Sequence, residues 1–259
     1  MIICGDNAKI LAGMPSDYIA LTVTSPVYDD LRAYNGYSWD FEALARQLFR
    51  VTKPGGVVVW VVADATIDGS ETGSSFRQAL YFMECGFNLH DTMIYSKTNP
   101  VPLNHNRYEQ EFEYMFIFSK GKIKTFSPLL IPTIAPNRFQ RRAGAQGHAH
   151  ESAFRSSGKP TISKVSKCKG NVWYYTVGAK KKGNTHPAQF PEALARDHIT
   201  SWSNVGDLVF DPFLGSGTTA KMAIETGRRF AGIDISEEYC HLARRRIESA
   251  KTPLFPDAM

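Results

Sequence analysis

Asp211-Pro212-Phe213-Leu214-Gly215-Ser216-Gly217-Thr218-Thr219 lies between an apolar strand pattern, DLVF at 207 to 210, and a helical stretch running to Thr226. Glycine at 215 and 217 lets the backbone approach a ligand closely, and the helix start beyond offers unpaired N–H groups. Seventeen residues after Gly217, a second strand pattern, RFAGIDI at 229 to 235, brings Asp234 up beside the first turn. In doubly wound folds such an acid accepts hydrogen bonds from ribose hydroxyls. Strand, turn, helix, strand and acid at this spacing predict an α/β fold with a nucleoside cofactor at its strand ends; the alternative is a turn that only shapes the backbone. The turn lacks the third glycine of the dinucleotide fingerprint, and the chain has no GxxxxGKS/T phosphate loop. An aromatic ring at Phe213 and no lysine to meet phosphates suit an uncharged adenosine bearing an amino acid, S-adenosylmethionine. Asp211, Phe213, Gly215, Ser216, Gly217, Thr218 and Asp234 are the expected contacts.

Outward from this turn, the same alternation covers most of the chain. YIALTVT (18 to 24), GGVVVWVVA (55 to 63), HDTMIYS (90 to 96) and EYMFIFS (113 to 119) read as buried strands rich in β-branched and aromatic residues. Between them, WDFEALARQLFRVT (39 to 52) spaces Phe41, Leu44, Leu48 and Val51 along one helical face. SFRQALYFMECG (75 to 86) places Phe76, Leu80 and Met83 on another face and stops at Gly86. FPEALARDHITSW (190 to 202) and EEYCHLARRRIESA (237 to 250) add two more helices. The pattern predicts a Rossmann-like, mostly parallel, doubly wound sheet. From 120 to 185 the periodicity fades into Gly, Ser, Lys, Pro and Arg, so this stretch reads as an insert unable to close a core of its own. The expected organisation is one α/β domain from 1–119 and 186–259, interrupted by an insert at 120–185.

A chain of 259 residues with 43% apolar content can bury a sizeable core, which excludes disorder throughout. No apolar run approaches the about 18 to 20 residues of a spanning helix, so no membrane association is expected. The opening MIICGDN lacks the basic and apolar stretches of a secretory signal; a cytoplasmic location is expected. Cys4, Cys85, Cys168 and Cys240 show no CxxC or Cys/His spacing, so isolated buried thiols are expected, without metal ligation or a disulfide framework. The net charge of +5 conceals a split: residues 120 to 185 hold fourteen Lys and Arg against one acid, Glu151, a local +13, while the remainder carries −8. Such a split points either to a polyanionic partner or to a solvated basic loop.

A second short loop, Thr24-Ser25-Pro26-Val27-Tyr28, follows the strand pattern YIALTV directly. Loops at the carboxyl ends of strands are where open α/β sheets place ligands. Pro26 fixes which way neighbouring carbonyls point, Ser25 offers a hydroxyl, and Tyr28 offers a ring on which a flat base can stack. Taken alone, such a loop is more often just a turn with a packed tyrosine. Together, the two loops resemble those of the amino-specific DNA methyltransferases, which methylate the N4 amine of cytosine or the N6 amine of adenine. The family's catalytic signature, Asp/Asn/Ser-Pro-Pro-aromatic, is matched by Ser25-Pro26-Val27-Tyr28, and its Phe-x-Gly-x-Gly by Phe213 to Gly217. The catalytic loop comes first with a basic insert between, an order similar to the circularly permuted subgroup called beta. Gly5-Asp6-Asn7 resembles that subgroup's N-terminal acid near the cofactor adenine, and His186-Pro187-Ala188-Gln189-Phe190-Pro191 resembles the segment before the helix on the methionine side. Val27 stands where the family usually has a second proline, which restores a backbone N–H and relaxes φ.

The resemblance implies a site-specific DNA methyltransferase acting on a flipped-out base, with Ser25, Pro26 and Tyr28 catalytic. Asp6, Asn7, Thr24 and His186 then join the cofactor contacts. The Ser25 side chain and the Pro26 carbonyl would accept hydrogen bonds from the target amine while Tyr28 stacks on the base. Double-stranded DNA is the implied partner of the insert, with Arg138, Arg141, Arg142, Lys164, Lys167 and Lys169 as candidate contacts. Serine at position 25 tilts the expected target toward cytosine N4. Adenine N6, or a DNA-binding module whose methylation site has decayed at Val27, are the alternatives. The family setting admits two further partners, a cognate restriction endonuclease and a second copy of the chain; the sequence identifies neither.

Overall fold

The computed structural model describes residues 1–27, 39–100, 107–133, 139–140, 161–162, 165–176 and 191–251. The chain opens with β1 (Ile2–Cys4), α1 (Asn7–Ala12), β2 (Ile19–Thr24), α2 (Phe41–Val51) and β3 (Thr52–Val62). A short ribbon of β4 (Thr66–Ile67) and β5 (Ser70–Glu71) precedes α3 (Ser74–Glu84), β6 (Asn88–Lys97) and β7 (Phe112–Ser119). Four small strands follow, β8 (Leu130–Pro132), β9 (Phe139–Gln140), β10 (Thr161–Ile162) and β11 (Ser166–Cys168). Then come β12 (Val172–Tyr175), α4 (Glu192–Trp202), β13 (Leu208–Asp211), α5 (Thr218–Glu225), β14 (Arg229–Asp234) and α6 (Glu237–Lys251).

Eight strands form one sheet in the order β1-β14-β13-β2-β3-β7-β6-β12. In β3, Val57, Val58, Val59, Trp60, Val61 and Val62 are all at most 1% exposed. Alternate residues of a strand point to opposite faces, so a run buried at every position requires cover on both sides. Helices α1, α2 and α3 pack among themselves, as do α4, α5 and α6, and the two groups supply that cover. Within this sheet β7 alone runs against its neighbours. It returns beside β6, with Ser96 opposite Phe112, and inserts between β6 and β3. The remaining pairings are parallel. The doubly wound, mostly parallel sheet expected from the pattern is therefore present.

Three expectations change. On α3, Phe76, Leu80 and Met83 are 49%, 60% and 44% exposed, whereas Ser75, Ala79 and Phe82 face inward. Asp64 fixes this rotation, accepting from the Ser75 backbone N–H at 2.8 Å and the Ser75 hydroxyl at 2.6 Å. The Phe82 ring then stacks on Phe118 at 4.7 Å and meets Trp60 at 5.0 Å. Of the four free thiols only Cys240 is buried: Cys4 and Cys168 are exposed and Cys85 is half-buried. Both exposed thiols sit at the ends of short strands, β1 at the edge of the main sheet and β11 in a two-stranded ribbon.

The third change concerns the insert. Strand β12 extends the main sheet by pairing with β6, and its buried Trp173 stacks on His198 of α4 at 4.6 Å. Lys120 also belongs to the main body, its Nζ 2.7 Å from Asp17 and 4.8 Å from the centre of the Phe49 ring. The chain divides into one unit of Met1–Ser127 with Asn171–Met259 and a second of Pro128–Gly170, narrower than 120–185. The second unit contains two antiparallel ribbons, β8 with β11 and β9 with β10.

Candidate functional site

Strands β13 and β2 are parallel neighbours, pairing Val209 with Leu21 and Phe210 with Thr22. The glycine turn and the Ser-Pro loop consequently leave the same edge of the sheet from adjacent strands, the position at which open α/β sheets bind ligands. Buried Thr24 donates through Oγ1 to Oδ1 of buried Asp211 at 2.7 Å. The Phe213 N–H reaches the same oxygen at 3.0 Å. Burial pushes the Asp211 carboxyl up to about 6, against the lowering effect of these hydrogen bonds. Thr219 adds a second tie, its hydroxyl donating to the Val23 carbonyl at 3.2 Å. Ser25 follows half-buried and Pro26 buried, on a base that these hydrogen bonds tie to β13 and α5.

The turn is shaped by its other neighbour, β14. Asp234 accepts from the Gly215 N–H at 2.7 Å through one oxygen and from the Ser236 N–H at 2.9 Å through the other. Burial raises its pKa while these two bonds oppose the shift. Gly217 caps α5 with φ of 81°, and a Cβ there would stand 3.0 Å from Cβ of Ala243 on α6. Glycine is required on both counts, conformation and clearance. On the far side, β1 pairs with β14 so that Cys4 lies opposite Asp234, and Gly5 donates to the Asp234 carbonyl at 2.9 Å. This register sets Asp6 and Asn7 beside the turn. Asn7 Nδ2 donates to the Pro212 carbonyl at 3.2 Å, while exposed Asp6 caps α1 by accepting from Lys9 N–H at 2.9 Å.

The structure thus brings together Asp6, Asn7, Thr24, Ser25, Pro26, Asp211, Phe213, Gly215, Ser216, Gly217, Thr218 and Asp234 at the ends of β1, β2, β13 and β14. Tyr28, His186, Arg138, Arg141, Arg142 and Lys164 lie outside the described residues. Exposed Lys167 and half-buried Lys169 belong to the second unit. Sequence reasoning misses several residues at the site. Trp39 meets the half-buried Phe213 ring edge-on at 4.8 Å, with Trp60 beyond at 6.3 Å. Its one signal is a tryptophan at the start of an amphipathic stretch. Arg246 of α6 donates to Ser216 and Thr218 of the turn and to Glu192 of α4, and no motif in the sequence marks either residue.

Adjacent parallel strands ending in a glycine turn and a Ser-Pro loop, with an acid one strand over, define the class: a Rossmann-like methyltransferase. A family model described as DNA methylase, covering N6 and N4 enzymes, matches residues 19–245, and the chain belongs to this family. It is 53% identical over 238 residues to the orphan methyltransferase M.BamHII of Bacillus amyloliquefaciens, covering 89% of each chain. It is 44% identical over 256 residues to the DNA adenine methyltransferase YhdJ of Escherichia coli K12, covering 96% of this chain and 83% of that one. Among solved structures, the M1.HpyAVI–SAM complex superposes with a TM-score of 0.63 at 21% identity, over 95% of this chain and 98% of that one, a likeness of fold. No helix among the described residues is long and apolar enough to cross a membrane.

Proposed function

We propose that this DNA methyltransferase carries a methyl group from S-adenosylmethionine to the N4 amine of a cytosine turned out of the duplex. The observation that carries the choice of base is Ser25, a neutral hydroxyl at the head of the catalytic loop where adenine enzymes more often have aspartate. The site's donor set suits an uncharged nucleoside bearing an amino acid. Asp234 keeps lone pairs for ribose hydroxyls beyond its two N–H partners. Arg246 and Lys221, cations that reach the turn and its helix, share Glu192, and Lys221 also meets Glu225 at 3.6 Å, so two carboxylates balance their charge without a phosphate.

When bound, the cofactor supplies an electrophilic methyl group on a positive sulfur. The chain must do the rest, because the lone pair of an exocyclic amine is delocalised into its ring. Ser25 Oγ and the Pro26 carbonyl accept hydrogen bonds from the two amine N–H groups, which turns the nitrogen lone pair out of conjugation; once nitrogen takes the methyl, one of these protons is lost to water. Proline at 26 fixes φ and so the carbonyl's direction. Tyr28 stacks on the extruded base. Extrusion costs about a few kcal/mol, which contacts from the Lys and Arg of the second unit to phosphates offset.

DNA incubated with methyl-labelled S-adenosylmethionine, digested to nucleosides and resolved by chromatography, tests the assignment. Label in N4-methylcytosine is expected. Label in N6-methyladenine would establish the second reading, which the 44% identity to an adenine methyltransferase favours.

A further inference from the structure

We propose that Arg246 is a positioning residue for cofactor binding, one that holds the Gly215–Thr218 turn in its binding shape and locks it to the start of α4. The inference rests on the assignment of that turn to S-adenosylmethionine and adds a residue from α6 that touches no reacting atom.

Arg246 stands three residues after Ala243, the residue against which Gly217 packs, and so lies on the same face of α6. Its Nη1 donates to the Ser216 hydroxyl at 2.9 Å, the Thr218 hydroxyl at 3.1 Å and the Ser216 carbonyl at 3.3 Å. Its Nη2 donates to Oε1 of Glu192, in the first turn of α4. Both Glu192 oxygens also receive Lys221 of α5, each at 2.9 Å. One guanidinium therefore joins the backbone and two side chains of the cofactor turn to a carboxylate on another helix. The Arg246 side chain is 18% exposed, enough burial to keep these charge-assisted bonds from being screened away.

The turn needs such a hold. Gly215 and Gly217, on either side of Ser216 and just ahead of helix α5, both adopt positive φ, 50° and 81°. Glycine at such positions has many conformations to lose, so the bound shape has to be enforced from outside. Asp234 enforces it at Gly215; Arg246 does so at Ser216 and Thr218. Through Glu192 the same side chain fixes the start of α4, the helix into which the His186 to Pro191 stretch of sequence leads. Lysine can supply donors at the same place but lacks the planar fork that serves the turn and the carboxylate together.

The test uses the full chain, with S-adenosylmethionine affinity by calorimetry and steady-state kinetics on DNA. Arg246→Met is expected to weaken cofactor binding about tenfold, the scale of removing one hydrogen bond to a charged group. KM for DNA and kcat at saturating cofactor should stay within about twofold of the parent, because the binding removed is common to ground and transition states. Arg246→Lys should recover part of the affinity. Glu192→Gln should produce a smaller loss in the same direction, with no further loss when combined with Arg246→Met. Unchanged affinity in Arg246→Met, alongside weakened binding in Asp234→Ala, would sink the role of Arg246 while sparing the cofactor site. A parallel decline of kcat and DNA affinity would also overturn it, as the mark of general unfolding. Unchanged affinity in both variants would remove the cofactor assignment of the turn itself. Should Arg246→Met fail to fold, Glu192→Gln decides alone, since Lys221 keeps its other partner Glu225 at 3.6 Å.

Discussion

The Thr24 to Asp211 hydrogen bond joins residues 187 positions apart and sets the spacing between the Ser-Pro loop and the glycine turn. Asp211 keeps its carboxyl in a buried setting that favours the protonated form, with a pKa of about 6 against an ordinary value of about 3.9. Because the folded value lies above the unfolded one, its contribution is fully present below about pH 4 and is lost as pH rises through about 6. The loss is on the order of 3 kcal/mol. Urea unfolding of the parent and of Asp211→Asn from pH 4 to 7.5 should therefore show the parent's relative stability declining across that window and level above it. Ser25→Ala is expected to lower kcat about a hundredfold, as for one preorganised hydrogen bond to a reacting centre. Its cofactor affinity, measured by calorimetry, should barely move. The residue types and spacing of the site were legible in the sequence: Ser25, Pro26, Asp211, Gly217 and Asp234 all gather at one edge. The pairing of Thr24 with Asp211 was not, because spacing says which strand end a residue occupies and nothing of which neighbour its side chain meets.

Helix α3 shows where periodicity misleads. Phe76, Leu80 and Met83 carry the larger hydrophobic signal, yet Ser75, Ala79 and Phe82 are the inward face. Two features outweigh the apolar count: Asp64 anchors Ser75, and the small Ala79 allows close approach to the sheet. Phe82→Ala is expected to cost about 3 to 5 kcal/mol in denaturant unfolding. Leu80→Ser should stay within about 0.5 kcal/mol, since it removes an exposed side chain. Equal losses would restore the face that sequence spacing suggested. Helix α2 gave no such conflict. Leu44, Leu48 and Val51 are buried as their spacing indicates, and Asp40 caps the helix by accepting from Ala43 N–H at 2.9 Å. Strand direction was harder to read than strand existence. The run 113 to 119 is a strand, but its antiparallel course follows from pairing with β6, a partner that no local pattern identifies.

At the scale of the molecule, charge composition separated a basic segment from a mildly acidic body, and the structure places a compact unit, Pro128–Gly170, within that segment. Lys120 and the β12 residues lie outside it because Asp17, Phe49 and the edge of β6 claim them, long-range partners invisible to a composition count. If the unit's cations meet phosphates, replacing Arg141 and Arg142 with glutamine should reduce the slope of log K against log salt by about 0.9 for each phosphate no longer neutralised. Fluorescence anisotropy on one duplex across a salt series measures this, and an unchanged slope would count against phosphate binding at both positions. The strand order has a last consequence, for engineering. A chain cut within Pro128–Gly170 yields one piece with the Ser-Pro loop and another with the glycine turn, Asp234 and Arg246. Neither piece owns a whole site, and β2 recovers its neighbour β13 only when the two reassociate. Methyl groups appearing on DNA exposed to both pieces would then record that the two fragments have met.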